Sequence, residues 1–212
     1  MRRSNDRMQT DPAAEAGCSP LSRRALIDLA SLHPGDVVVA LGCGDCRDGA
    51  RVAHLVGPAG HVILVVTGLE PLEPPGVPTR AEPWPHTLTR GDLAATGLPS
   101  SVADVVLSNC AMHGRADKPA IYREIHRILK PGGRLVTSDV VAFREVPHGA
   151  HGAHGAYGAP RRGTGLAEIP ESAYLAAVQA SGFHRVTLLQ RTAPYEERGR
   201  IVLSLTLEAA RG

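Results

Sequence analysis

The run Val37-Val38-Val39-Ala40-Leu41 is apolar at every position and mostly β-branched. A strand with one wet face alternates apolar and polar residues, so an unbroken run demands cover on both faces, as strands of a parallel sheet receive. The run leads straight into Gly42-Cys43-Gly44-Asp45-Cys46, then a segment carrying Ala50, Val52, Ala53, Leu55 and Val56, then a second apolar run over 61–66. Strand, glycine-bearing turn, helix, strand is a βαβ unit. Parallel strands bring their carboxyl ends to one edge, where ligands settle at the point of strand-order reversal. Gly42 and Gly44 lie at such an end, where missing side chains let a ligand approach the backbone. The helix amides that follow favour polar or anionic groups. Glycines serve ordinary strand-to-helix turns equally often, so this turn alone assigns no ligand.

The rest of the chain repeats the alternation. Leu21, Ala25, Ile27, Leu29 and Leu32 recur at roughly helical spacing after Ser19-Pro20, a cap with proline in the first turn. Pro71, Pro74, Pro75, Pro78, Pro83 and Pro85 exclude a regular helix after the second strand and predict a long covering loop. Further strands are expected near 87–89, 103–107 and 134–138. Between the last two, Ile121, Ile125, Ile128 and Leu129 define an amphipathic helix over 118–129, stopped by Pro131-Gly132-Gly133. Tyr122 and His126 on that helix read as packing or solvent-facing residues. A last helix over 171–181 precedes strands at 184–189 and 201–207, which suggests an antiparallel hairpin at one sheet edge. The pattern predicts an α/β fold with a mostly parallel, Rossmann-like sheet and helices on both faces. Residues 1–17 carry no periodicity and read as a flexible tail, leaving 18–212 as a single domain. Within it, 142–166 is a Gly/Ala-rich loop whose His148, His151 and His154 would stack only in a helix that the glycines oppose.

A net charge of +2 gives no footprint for nucleic acid, and no apolar run is long enough to cross a bilayer. The first residues lack the apolar stretch of a signal peptide. The expectation is a soluble, cytoplasmic protein acting on a small molecule or a metalloid, with no nucleic-acid or membrane partner. Oligomeric state is not legible. The four cysteines, Cys18, Cys43, Cys46 and Cys110, are too few for a disulfide framework in a chain of 212 residues.

Ser108-Asn109-Cys110-Ala111-Met112, then Asp117-Lys118-Pro119, then Leu129-Lys130-Pro131-Gly132-Gly133-Arg134-Leu135 and Ser138-Asp139 resemble class I S-adenosylmethionine-dependent methyltransferases, specifically arsenite methyltransferases. The Leu-Lys-Pro-Gly-Gly segment is common to the class; Ser-Asn-Cys followed by Asp-Lys-Pro is narrower. Leu32-His33-Pro34-Gly35-Asp36 through Gly44, Gly91-Asp92 and Gly17-Cys18 extend the likeness. The resemblance implies a seven-stranded sheet, with S-adenosylmethionine as cofactor over Gly42, Cys43 and Gly44. It implies Asp92 at the adenine, and Leu93 and Asn109 among the cofactor contacts. Cys18 and Cys110 match two cysteines that bind trivalent arsenic in the family, where they would hold and orient the acceptor. Arsenic(III) is soft, and thiolates are its preferred ligands. Its lone pair can attack a sulfonium methyl group held at near-attack distance, with no general base.

Three positions depart from the family pattern. Ala40 replaces an acidic residue of the first strand, Val66 stands where a carboxylate grips the ribose, and Cys46 replaces the last glycine of the turn. Glu70 is a possible substitute for the lost carboxylate. Thr164 lies nearest the place of a third arsenic-binding cysteine, and Trp84 in the proline-rich loop could cover the cofactor or anchor the loop. Cys43 and Cys46 also sit two residues apart at a helix N-terminus, which lowers a thiol pKa. This opens an alternative: a degenerate methyltransferase-fold protein that binds a metal or metalloid, or performs thiol redox chemistry, through Cys18, Cys43, Cys46 and Cys110.

Overall fold

The computed structural model describes residues 23–42, 47–67, 86–112, 115, 117–143, 170–197 and 200–212. Helix α1 (Arg23–Leu29) precedes β1 (Val37–Leu41), α2 (Arg47–Val56), β2 (His61–Val66), β3 (His86–Arg90) and β4 (Ala103–Asn109). Then come α3 (Lys118–Ile128), β5 (Leu129–Ala142), α4 (Glu171–Gln179), β6 (Arg185–Arg191), β7 (Tyr195–Glu197) and β8 (Arg200–Ala210). The sheet order is β3-β2-β1-β4-β5-β8-β6, with β7 paired to β8. The first five strands are mutually parallel, and β8 runs antiparallel between β5 and β6. The expected architecture is therefore present, with one addition. The short β7 makes the sheet eight-stranded where seven strands are expected, because the chain doubles back on β8 through Tyr195↔Val202.

The unbroken apolar runs are explained by two layers of cover. Val38 is buried with Leu26, Ile27, Val52, Ala53 and Val56 on the α1/α2 face, while Val39 and Leu41 join Ile121, Ile125, Tyr174 and Val178 on the α3/α4 face. Alternate residues of one strand thus enter different cores, so each must be apolar. The Pro131-Gly132-Gly133 turn expected after α3 lies in a bulge inside β5. Ala103 pairs with Leu129 and Val105 with Arg134, so a single residue of β4 faces the whole turn. It stays tied to the sheet because the Gly132 amide donates to the Arg211 carbonyl and the Arg211 amide to that of Gly133.

Among the described residues no helix is long and apolar enough to cross a membrane. The expectations for the 1–17 tail, the proline-rich loop and the 144–166 part of the His/Gly-rich loop lie outside the described residues.

Candidate functional site: the crevice at the strand carboxyl ends

The strand order reverses about β1, whose neighbours are β2 on one side and β4 on the other. Crossovers leave β1 and β4 toward opposite faces there, which opens a crevice beyond their carboxyl ends. Gly42, Thr67, Gly91-Asp92 and Cys110 follow β1, β2, β3 and β4 directly, so the parallel register delivers all of them to one edge.

Gly42 is wedged into this edge. Its amide donates to the Val65 carbonyl at 2.9 Å, its φ is +64°, and a Cβ placed on it would lie 2.5 Å from the Ala111 Cβ. Glycine is required there twice over, by conformation and by space. The contact also sets the turn after β1 against the turn after β4. Cys110 opens that second turn with φ +55°, a region costly for a side-chain-bearing residue. Its amide donates to the Ser138 carbonyl at 2.8 Å, and its side chain is half-buried. Asn109 ends β4 opposite Ser138, and its Oδ1 is buried without a hydrogen-bond partner among the described residues.

Gly91 and Asp92 follow β3 at the same edge. A Cβ on Gly91 would meet the Thr96 carbonyl oxygen at 2.8 Å, so glycine lets the loop fold back on itself. The Asp92 carboxylate accepts from the Ala94 amide at 2.8 Å and from Arg115 Nη2 at 3.2 Å. Arg115 also bonds Asp117 at 2.6 and 2.8 Å, and that contact holds the Asp117 carboxyl below the usual carboxylate range. Asp92 remains more than half exposed. The Leu93 side chain, by contrast, is buried in the α3/α4 core.

Glu124 on α3 anchors this loop. Its carboxylate accepts from the Thr96 amide at 2.9 Å and the Thr96 hydroxyl at 2.6 Å, and from Arg127 at 2.7 and 2.8 Å. Arg127 above all, then Thr96, hold the Glu124 carboxyl down to about 2. A depressed carboxylate stabilises the fold above its unfolded value and loses that contribution as pH falls through the folded one. E124Q is therefore expected to lower stability by about 2 kcal/mol near pH 7, with the gap shrinking between pH 4.5 and 2. Urea unfolding at pH 7 and pH 3 reads this out; an equal gap at both would mean that the charge is not what holds the loop.

Sequence reasoning gave no role to the polar group beneath Cys110. Lys118 Nζ lies 3.6 Å from Asp139 Oδ2, with side-chain exposures of 4% and 0%. Tyr122 and Tyr174 are fully buried beside them, rings edge to face at 6.1 Å. Burial pushes the Asp139 carboxyl up to about 6 against the pull of the Lys118 ammonium, and it also raises both tyrosine hydroxyls. The available signal was Thr137-Ser138-Asp139, a polar triplet between Leu135-Val136 and Val140-Val141-Ala142. His126, read as packing or solvent-facing, packs edge to face on Phe183 at 5.3 Å.

Of the expected site residues, Gly42, Asp92, Asn109 and Cys110 stand along one edge. Cys18, Cys43, Gly44 and Cys46 lie outside the described residues, as do Glu70, Trp84 and Thr164, so their grouping is not described. Val66 closes β2 as a buried apolar residue and Ala40 is half-buried in β1. The features that suit a nucleoside cofactor are the side-chain-free cradle at Gly42, the unpartnered Asn109 Oδ1 and the exposed Asp92 carboxylate.

A methyltransferase-domain profile matches residues 88–171. The arsenite methyltransferase of Aquipseudomonas alcaligenes is 36% identical over 124 residues, covering 55% of this chain and 36% of that protein. The mouse arsenite methyltransferase is 34% identical over 124 residues, covering 52% and 32%. The chain thus spans about a third of the curated relatives it matches. An arsenic(III) S-adenosylmethionine methyltransferase from Chlamydomonas reinhardtii superposes with a TM-score of 0.66 at 21% identity, over 96% of this chain and 74% of that one. The fold is the one seen in these methyltransferases, and the sequence of residues 88–171 resembles a methyltransferase domain. Over about half of its own length the chain is similar to arsenite methyltransferases.

Proposed function

We propose that this domain transfers a methyl group from S-adenosylmethionine to arsenite, a related arsenical or another small soft nucleophile held by Cys110. The observation that carries the reading is the half-buried Cys110 on a left-handed turn beside Gly42, at the end of β4. The curated relatives named as arsenite methyltransferases supply the acceptor class. Bound S-adenosylmethionine would supply an electrophilic sulfonium methyl group. Gly42 would let it approach the backbone, Asp92 would accept from the adenine amino group, and Asn109 would offer its unpartnered oxygen. Cys110, joined by Cys18, would hold the acceptor with its lone pair toward that methyl group, so that the protein contributes alignment rather than proton transfer.

Loss of the ribose carboxylate at Val66 predicts weakened binding, by about 1.5–3 kcal/mol or roughly ten- to a hundredfold. Titration calorimetry is expected to find S-adenosylmethionine binding below about 1 mM, and native mass spectrometry an arsenite adduct that C110S diminishes. No heat of binding at that concentration, together with an adduct unchanged in C110S, would remove both halves of the reading. The same Val66 also supports a second one: a thiol protein that sequesters a soft ion, or exchanges disulfides through Cys43 and Cys46, without methyl transfer. An arsenite adduct without cofactor binding would favour sequestration, and a reversible Cys43–Cys46 disulfide the redox form.

A further inference from the structure

Cys110 is held in a conformation that its own side chain disfavours. A left-handed φ at a non-glycine residue persists only where its surroundings over-determine it. Three contacts do so here. The Cys110 amide is fixed to the Ser138 carbonyl, Ala111 is pressed against Gly42, and Met112 is fully buried. The far end of the same turn is gripped by one side chain. Lys118 Nζ donates to the Met112 carbonyl and, at 3.4 Å, to that of Arg115, while Asp139 on β5 neutralises it. Asp139 is in turn fixed by the Val140 amide, which donates to its Oδ1 at 3.0 Å.

A buried ion pair of this kind adds little to stability, because desolvation of both ions offsets their attraction. Two apolar side chains of similar volume would hold α3 to β5 equally well. What they could not do is donate to two backbone carbonyls of the Cys110 turn while staying tied to the strand beneath it. We propose that the Lys118–Asp139 pair is a positioning device that fixes the turn carrying Cys110, and so sets how the thiol is presented to the crevice. The inference deepens the reading of Cys110 as the acceptor-holding thiol and rests on it. Lys118 and Asp139 act through the turn and touch no reacting atom.

The test uses the full-length protein without cofactor or acceptor, so failure of the methyltransferase reading does not decide it. In K118M/D139L the pair is replaced by apolar side chains. The expected result is a melting temperature close to wild type and iodoacetamide labelling of Cys110, followed by peptide mass spectrometry, accelerated about tenfold. K118R, which retains a cation facing Asp139 and donors for both carbonyls, is expected to return labelling to within about twofold of wild type. Should the double variant fail to fold, hydrogen exchange in the wild type still decides. The Cys110 and Arg115 amides, which donate to Ser138 and Met112 at 2.8 and 3.1 Å, are expected to be as protected as β4 amides. Labelling unchanged in a folded double variant, a stable K118R labelled as fast as that variant, or free exchange of both amides would each overturn the proposal.

Discussion

Replacing Gly42 with alanine is expected to lower the melting temperature by about 10 °C and to abolish detectable S-adenosylmethionine binding. Two effects add. A side chain at φ +64° costs about 1–2 kcal/mol, and the new methyl group would have to displace Ala111, 2.5 Å away. Forcing an extra carbon into packed surroundings costs a further 1–3 kcal/mol or so. At about 2–4 °C per kcal/mol for a chain of this size, the sum accounts for the expected shift. The binding loss has a separate origin, since displaced Ala111 would move the turn after β4 and with it Asn109 and Cys110. Scanning calorimetry and titration calorimetry measure the two halves. A variant that melts with the wild type would show that the β1 and β4 turns are not in the contact described.

The buried ion pair carries the second large effect. K118M leaves the Asp139 carboxylate at 0% exposure without its counter-ion, and removing one partner of such a pair costs about 3–5 kcal/mol. K118M/D139L removes both charges and is expected to cost far less. The same comparison has a pH signature. The Asp139 carboxyl sits at about 6 in the fold against an ordinary 3.8, because burial outweighs the pull of Lys118. Between those values the native state holds more proton than the unfolded chain, so the contribution of Asp139 is greatest below pH 3.8. It is lost as pH rises through 6 and is level above. A shift of that size corresponds to about 3 kcal/mol. The stability of wild type relative to the double variant is thus expected to fall by about 3 kcal/mol between pH 3.5 and pH 7. Other groups cancel in the difference, and the titratable groups facing Asp139 are Lys118, Tyr122 and Tyr174. Urea unfolding across that range checks it; a difference that stays flat, or grows with pH, would place the carboxyl elsewhere than in a desolvated core.

The elements that sequence reasoning found correctly are those whose pattern is local. The apolar run Val37–Leu41, the amphipathic face of Ile121, Ile125 and Ile128, and Gly42 after β1 each record a backbone requirement in adjacent residues. The boundary at Pro131 was misplaced for a physical reason. Proline and glycine signal a turn, yet here the turn is absorbed as a bulge because Arg211, far along the chain, supplies the bonds that hold it in the sheet.

What the chain determined by itself is the alternation of buried strands and helices, and the narrow Ser-Asn-Cys to Asp-Lys-Pro likeness, since both are written in neighbouring residues. Tertiary structure alone decided that Gly42 abuts Ala111, that Arg115 reaches Asp92 across the crevice, and that Lys118 and Asp139 meet beneath Cys110. Such pairings join residues far apart in the chain or on different elements. They exist only once the parallel register has brought the strand ends to one edge, and no local pattern of residues encodes that meeting.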